Sequence, residues 1–97
     1  MTGKPTENNG EDKRRDRHDI VAQILETSRE GRIKTHIMYK AKLSYAQTNS
    51  YLQLLLDKGF LERSTIKKNG QEKEIYTTTP KGKEFYERVV HVNTLLQ

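Results

Sequence analysis

The 97-residue sequence contains no cysteine and no tryptophan, and it has only two prolines. Without cysteine the chain can form no disulfide and no thiolate metal site, so its fold depends on packing and hydrogen bonds. No segment approaches the roughly 18 consecutive apolar residues of a membrane-spanning helix, and the polar N-terminus lacks the apolar core of a signal peptide. These absences predict a cytoplasmic protein without a membrane partner, built as one domain with a small core.

Acidic residues are missing from a long central stretch. Residues 31–56 contain four basic side chains and no aspartate or glutamate. The four are Arg32, Lys34, Lys40 and Lys42. The formal net charge is +5, and its excess lies here and in a second basic group at residues 63–73. Such a field suits a polyanion, most often nucleic acid, although a solvated basic surface has the same composition.

The first 15 residues are polar and contain no apolar residue after Met1. Such a segment cannot offset the entropy that ordering removes, so we predict a disordered arm over residues 1–15. The basic run "KRRDR" at residues 13–17 can reach a neighbouring minor groove, as the arms of some DNA-binding domains do. The aspartates within and beside this run weigh against that interpretation.

Apolar residues at helical spacing predict three helices, over about residues 16–30, 33–41 and 44–58. In the third helix Ser44 and Gln47 have the spacing of a capping box, and Gly59 supplies the left-handed residue that ends it. The apolar face of the third helix consists of Thr48, Tyr51, Leu52, Leu55 and Leu56. Tyr39 and Tyr51 are expected at the edge of the core, because they are in line with Met38 and Leu55.

Two extended segments, "FLERSTIK" and "EKEIYTTT", flank an Asn-Gly pair. Asn-Gly between extended segments is a strong hairpin signal, so we predict two antiparallel strands of about six residues each. Thr79 followed by Pro80 then has the N-cap and first-turn residues of a fourth helix.

The order of these elements predicts an α+β winged helix-turn-helix: three helices, a two-stranded β-hairpin wing and a C-terminal helix. The run "LSYAQTNSYLQLLLDKGFLE" is similar to the corresponding pattern of winged helix-turn-helix transcription factors, and "YTTTPKGKEF" to their wing-to-helix junction. Residues 18–90 resemble small archaeal winged-helix regulators and chromosomal proteins that dimerise through the helix after the wing. The resemblance implies a DNA-binding domain over residues 16–79 and a dimerisation helix over 80–97. Thr78 stands where leucine is usual in this pattern, so we expect a loosely packed wing base.

This fold implies that the third helix lies in the major groove of double-stranded DNA and the wing, residues 67–73, on the flanking backbone. The residues expected at base edges are Tyr45, Gln47, Asn49 and Ser50. The residues expected at the DNA backbone are Lys34, Thr35, His36, Lys40, Lys42, Ser44, Gln53, Lys67, Lys68, Asn69 and Lys73. Three assignments stay open: Ser44 as N-cap or phosphate donor, Gln47 as cap partner or adenine reader, and Tyr45 at a base or at the backbone.

Four apolar residues of the last helix are spaced four, three and four apart, as in a coiled-coil seam. They are Phe85, Val89, Val92 and Leu96. We therefore predict a homodimer with a two-fold axis, which requires an inverted-repeat DNA site.

Catalytic patterns are absent from the sequence. The three histidines, His18, His36 and His91, are scattered, and there is no glycine-rich phosphate loop. We predict no enzymatic activity, metal, cofactor or small-molecule ligand, and a place on the nucleoid. The alternatives are a winged-helix protein–protein module and, less in keeping with the sequence, an RNA-binding protein. The acid-free stretch favours DNA, because a docking face for proteins usually mixes both charges.

Overall fold

The computed structural model describes residues 16–96, and the expected disordered arm, residues 1–15, lies outside the described residues. The elements are α1 (Arg17–Thr27), α2 (Lys34–Ala41), α3 (Tyr45–Asp57), β1 (Leu61–Lys68), β2 (Gln71–Thr78) and α4 (Pro80–Leu96). Their order confirms the predicted α+β winged-helix fold. The strands have eight residues rather than about six, and α1 ends earlier than expected.

α1 is capped by Asp16, whose side chain accepts a hydrogen bond from the backbone N–H of Asp19 at 2.9 Å. The helix ends in a turn that leads to Gly31, where φ is +87°. A Cβ at this glycine would lie 2.8 Å from the Cγ2 atom of Ile75 on the wing. Glycine is therefore required both by the left-handed backbone and by the close passage of β2.

The turn between α2 and α3 is short and contains no glycine. Lys42 adopts a left-handed conformation with φ 56°, and its neighbour Leu43 is buried in the core. The predicted capping box then starts α3: the Gln47 N–H donates to Ser44 Oγ at 3.1 Å, and the Ser44 N–H donates to Gln47 Oε1 at 2.9 Å. This reciprocal pair satisfies two backbone donors at the helix start and sets the direction of α3.

The core lies where the first three helices meet the base of the wing. Its buried apolar residues are Val21, Ile24, Leu25, Ile37, Ala41, Leu43, Leu52, Leu55, Leu61 and Tyr76. Thr48 is also buried, and its hydroxyl donates to the Ser44 carbonyl at 2.8 Å, so no polar atom of that side chain is left without a partner. The predicted inner face of α3 is confirmed by the burial of Thr48, Leu52 and Leu55 and the packing of Tyr51 and Leu56 against the core.

The wing is an antiparallel hairpin whose register runs from Leu61 opposite Thr78 to Lys68 opposite Gln71. Its two-residue turn, Asn69-Gly70, has positive φ at both residues, as a type I′ turn requires. An isolated antiparallel bridge also joins β2, because Arg32 and Tyr76 exchange backbone hydrogen bonds of 3.0 and 2.9 Å. This pairing was not expected from the sequence, and it fastens the start of α2 to the wing.

The base of the wing is anchored by Thr78, which is 4% exposed. Its hydroxyl donates to the Leu25 carbonyl at 2.6 Å, and its backbone N–H donates to the Ser28 carbonyl at 3.0 Å. The expectation of a loose wing base was therefore wrong, because the threonine replaces apolar packing with hydrogen bonds to the end of α1.

α4 starts as predicted, with the Thr79 hydroxyl accepting from the Gly82 N–H at 3.0 Å and donating to the Gly59 carbonyl at 2.6 Å. Gly82 is buried, and a Cβ there would collide with the Phe60 carbonyl oxygen. The rest of the helix packs on α1, where burial and the nearby carboxylate of Glu26 raise the pKa of Tyr86 above its usual 10.0.

Candidate nucleic-acid interface

The outer face of α3 is short and polar. Since Thr48, Leu52 and Leu55 are buried, the opposite side of the helix is left to solvent. The exposed residues of α3 are Tyr45, Ala46, Gln47, Ser50, Gln53 and Asp57. Ala46 was not among the residues expected at DNA, and it places a methyl group in the first turn of this face. A methyl group there can contact the methyl of thymine.

Gln47 is engaged through its oxygen alone. The Oε1 atom accepts the Ser44 N–H of the capping box, while the side chain is exposed. Within residues 16–96 its Nε2 group makes no hydrogen bond to the protein. The cap and a contact outside the protein therefore use different atoms of one amide.

Asn49 and Lys34 were assigned to different parts of the DNA, a base edge and the backbone, but they contact each other. The Lys34 Nζ atom donates to Asn49 Oδ1 at 2.7 Å and lies 5.2 Å from the centre of the Tyr45 ring. Both Lys34 and Asn49 are half-buried, while Tyr45 is 60% exposed. The start of α2 is thus connected to the first two turns of α3 by a hydrogen bond and a cation–π contact.

Ser50 and Gln53, two further residues predicted to contact DNA, lie on the exposed surface of α3. Ser50 lines a shallow depression with Arg17, the first residue of α1. Gln53 donates to Asp57 Oδ1 at 2.9 Å, one turn further along the helix. This exposed hydrogen bond uses one N–H of the Gln53 amide and leaves the second N–H for a contact outside the protein.

The exposed face of α2 carries an aromatic side chain that the sequence analysis had placed at the core edge. Tyr39 is 76% exposed, because Ile37 and Ala41 define the buried face and Tyr39 falls on the opposite side. The expectation for Tyr39 was wrong, whereas Tyr51 is half-buried against the core as expected. The exposed residues of α2 and the following turn are Thr35, His36, Tyr39, Lys40 and Lys42.

The tip of the wing has two chemically different faces. In the antiparallel register Lys67 lies opposite Glu72, so their charges share one face. The other face carries Lys68 opposite Gln71 and Ile66 opposite Lys73, with no carboxylate near the tip. Beyond Gly70 there is open space, so the tip can approach a partner without steric hindrance.

The model of a known family, described as winged helix-turn-helix, matches residues 14–97. The chain belongs to the winged helix-turn-helix family. It is 36% identical over 74 residues to the uncharacterized protein MJ0287 of Methanocaldococcus jannaschii, covering 75% of this chain and 68% of that protein. It resembles the crystal structure of Sso10a-2, a DNA-binding protein from Sulfolobus solfataricus, with TM-score 0.73 and 26% identity over 84% of this chain and 81% of that chain. The transcriptional regulator BldR of the same organism has the same fold, with TM-score 0.71 and 23% identity over 80% of this chain and 56% of its own.

In this winged helix-turn-helix protein two residues of the predicted dimer seam are packed inside the chain, and a third is exposed to solvent. Phe85 stacks on Phe60 with ring centres 4.6 Å apart, and Val89 is 7% exposed, so both belong to the chain's own core. Val92 is 52% exposed, and the side chain of Leu96 lies outside the described part of the chain. Val90 and Leu95 are exposed as well, at 38% and 69%, and add to the apolar surface of α4.

Within residues 16–96, no three histidine, cysteine, aspartate or glutamate side chains are grouped closely enough to bind a metal ion. No described helix is both long and apolar enough to span a lipid bilayer.

Proposed function

We propose that this chain is a double-stranded-DNA-binding transcriptional regulator or chromosomal protein. In this proposal α3 enters the major groove, and α2 and the wing contact the backbone on either side. Family membership supports the proposal. The similarity to Sso10a-2, a protein described as DNA-binding, also supports it, because the 26% identity extends over most of both chains. The protein acts by binding and not by catalysis.

The observation that carries this proposal is the location of the acid-free stretch. Residues 31–56 make up α2, the turn and most of α3, so the sequence without carboxylates coincides with the helix-turn-helix. Lys40 and Lys42 are exposed at its turn, beside the polar outer face of α3. In a DNA complex, cations of this kind bind the phosphates, and hydrogen-bonding side chains on the neighbouring helix contact the base edges.

Self-association is the second part of the proposal. Val90, Val92 and Leu95 are exposed on α4 and are large apolar side chains, which a second copy can cover. A two-fold dimer through α4 would present two copies of α3 and would favour inverted-repeat DNA sites. Binding of this kind places the protein on the nucleoid.

A salt titration tests the DNA-binding proposal. Binding to a labelled random duplex should be detectable at low salt and should weaken as salt rises, because each phosphate contact releases counterions. Lys40→Glu and Lys68→Glu should weaken binding to all duplexes alike. Lys83→Glu is the matched control, since Lys83 is exposed on α4, away from the helix-turn-helix. Undetectable binding at low salt, or affinity independent of salt, would reject the proposal and favour a protein-docking module.

A further inference from the structure

Two amide side chains of α3 are oriented by donors that lie within the protein. The Lys34 ammonium donates to Asn49 Oδ1 at 2.7 Å, and the Ser44 backbone N–H donates to Gln47 Oε1 at 2.9 Å. An ammonium and a backbone N–H can only donate, so each contact identifies the amide oxygen as the atom facing the protein. Each amide nitrogen is left on the other side and makes no hydrogen bond within residues 16–96.

Lys34 is itself fixed in place, unlike a typical surface lysine. It is half-buried at the first position of α2, and its ammonium lies over the Tyr45 ring as well as against Asn49. A cation above an aromatic face is held by the ring's quadrupole. To reach a phosphate, Lys34 would have to give up both contacts, so its position suits a role inside the protein better.

We propose that Lys34 is a positioning residue that fixes the Asn49 amide with its N–H₂ group toward DNA, as the Ser44 N–H does for Gln47. This inference rests on the proposed DNA-binding function. Two-point reading of adenine needs the amide oxygen to accept from the base N6 amino group, and one lone pair of that oxygen already accepts from a donor of the protein, which at Asn49 is positively charged. Guanine offers two acceptors, O6 and N7, to an N–H₂ donor. Asn49 and Gln47 therefore each select guanine over adenine at the base step they contact.

Selection of bound duplexes from a random pool tests this inference. We expect the wild type to enrich guanine at a step whose preference disappears in Asn49→Ala. Lys34→Met removes the donor but keeps the length of the side chain, and the guanine-to-adenine ratio at that step should fall at least about fivefold. Lys40→Met, on an exposed lysine of the same helix, should weaken all duplexes and leave the selected motif unchanged.

Two conservative variants separate positioning from a general structural effect. Lys34→Arg keeps a positive donor and should retain the guanine preference. This variant can still be measured if Lys34→Met does not fold. Gln47→Glu preserves the capping box, because glutamate fills the same position, but it turns an oxygen outward. At the step read by Gln47 the selected base should change from guanine to cytosine, whose amino group donates to a carboxylate.

The outcomes distinguish this inference from the function on which it rests. If the wild type binds DNA but selects adenine at the Asn49 step, the inference is overturned and the function stands. The same holds if Lys34→Met keeps the wild-type base ratio. If the wild type binds no duplex at low salt, the proposed function fails and the inference fails with it.

Discussion

Replacing Thr78 with valine tests whether the wing is held by a hydrogen bond. The two side chains have nearly the same shape, so Thr78→Val removes the hydroxyl without opening a cavity. The bond that is lost is the 2.6 Å contact with the carbonyl of Leu25, a residue with 0% exposure. That carbonyl lies in the last turn of α1, where carbonyls lack partners inside the helix.

The expected loss follows from the burial of the acceptor. A buried carbonyl left without its donor destabilises a protein by about 1–3 kcal/mol. For a chain of this size 1 kcal/mol corresponds to about 4–8 °C in Tm, so Thr78→Val should lower Tm by at least about 4 °C. Thermal unfolding followed by circular dichroism measures this change. Thr78→Ser keeps the hydroxyl and should lose less, although it removes a buried methyl group.

Thr65→Val is the matched control for this experiment. Thr65 is an exposed residue of β1, so the same chemical change there should alter the free energy of unfolding by less than about 0.5 kcal/mol. If Thr78→Val is as stable as the wild type, or more stable than Thr78→Ser, the hydrogen bond does not anchor the wing. The wing base would then be held by packing and by backbone hydrogen bonds such as the one from the Thr78 N–H to the Ser28 carbonyl.

Three other variants have directions that the structure determines. Gly82→Ala should prevent folding or lower Tm by far more than Thr78→Val, because its Cβ would collide with the Phe60 carbonyl; a cooperative transition near the wild-type Tm would contradict this. Ser28→Ala should leave Tm unchanged or raise it, since the buried Ser28 hydroxyl has no hydrogen-bond partner among the described residues, whereas a clear drop in Tm would mean that the hydroxyl is satisfied. Leu95→Glu should shift sedimentation toward the monomer without changing Tm at low concentration, and an unchanged association state would remove α4 from the proposed interface.

Local signals allowed most of the fold to be predicted from the sequence. The capping box at Ser44, the Asn69-Gly70 turn and the Thr79 cap each depend on residues within four positions of one another, and each was found where expected. Such features are set by backbone geometry and hydrogen-bond spacing, so a single sequence contains them. The helix bounds also follow from period and caps, apart from the end of α1.

Contacts between distant residues could not be predicted in the same way. The Arg32–Tyr76 pair and the Lys34–Asn49 hydrogen bond join residues 44 and 15 positions apart, and only the tertiary fold brings them together. The apolar spacing of α4 is limited in a related way: it predicts an apolar stripe on the helix but does not predict which surface covers that stripe. In the structure Phe85 and Val89 face the chain's own core.

At Gln47 the cap and the proposed base contact use different atoms of the same amide. The cap needs the oxygen of the amide, because the Ser44 N–H is a donor, and a base contact can use the nitrogen. The Asn49 amide is arranged in the same way: its oxygen accepts from the Lys34 ammonium, as the Gln47 oxygen accepts from the Ser44 N–H. In the proposed interface, capping and base recognition therefore do not compete for these side chains. The contacts that stabilise the start of α3 also determine which hydrogen-bonding atoms it can offer to a base.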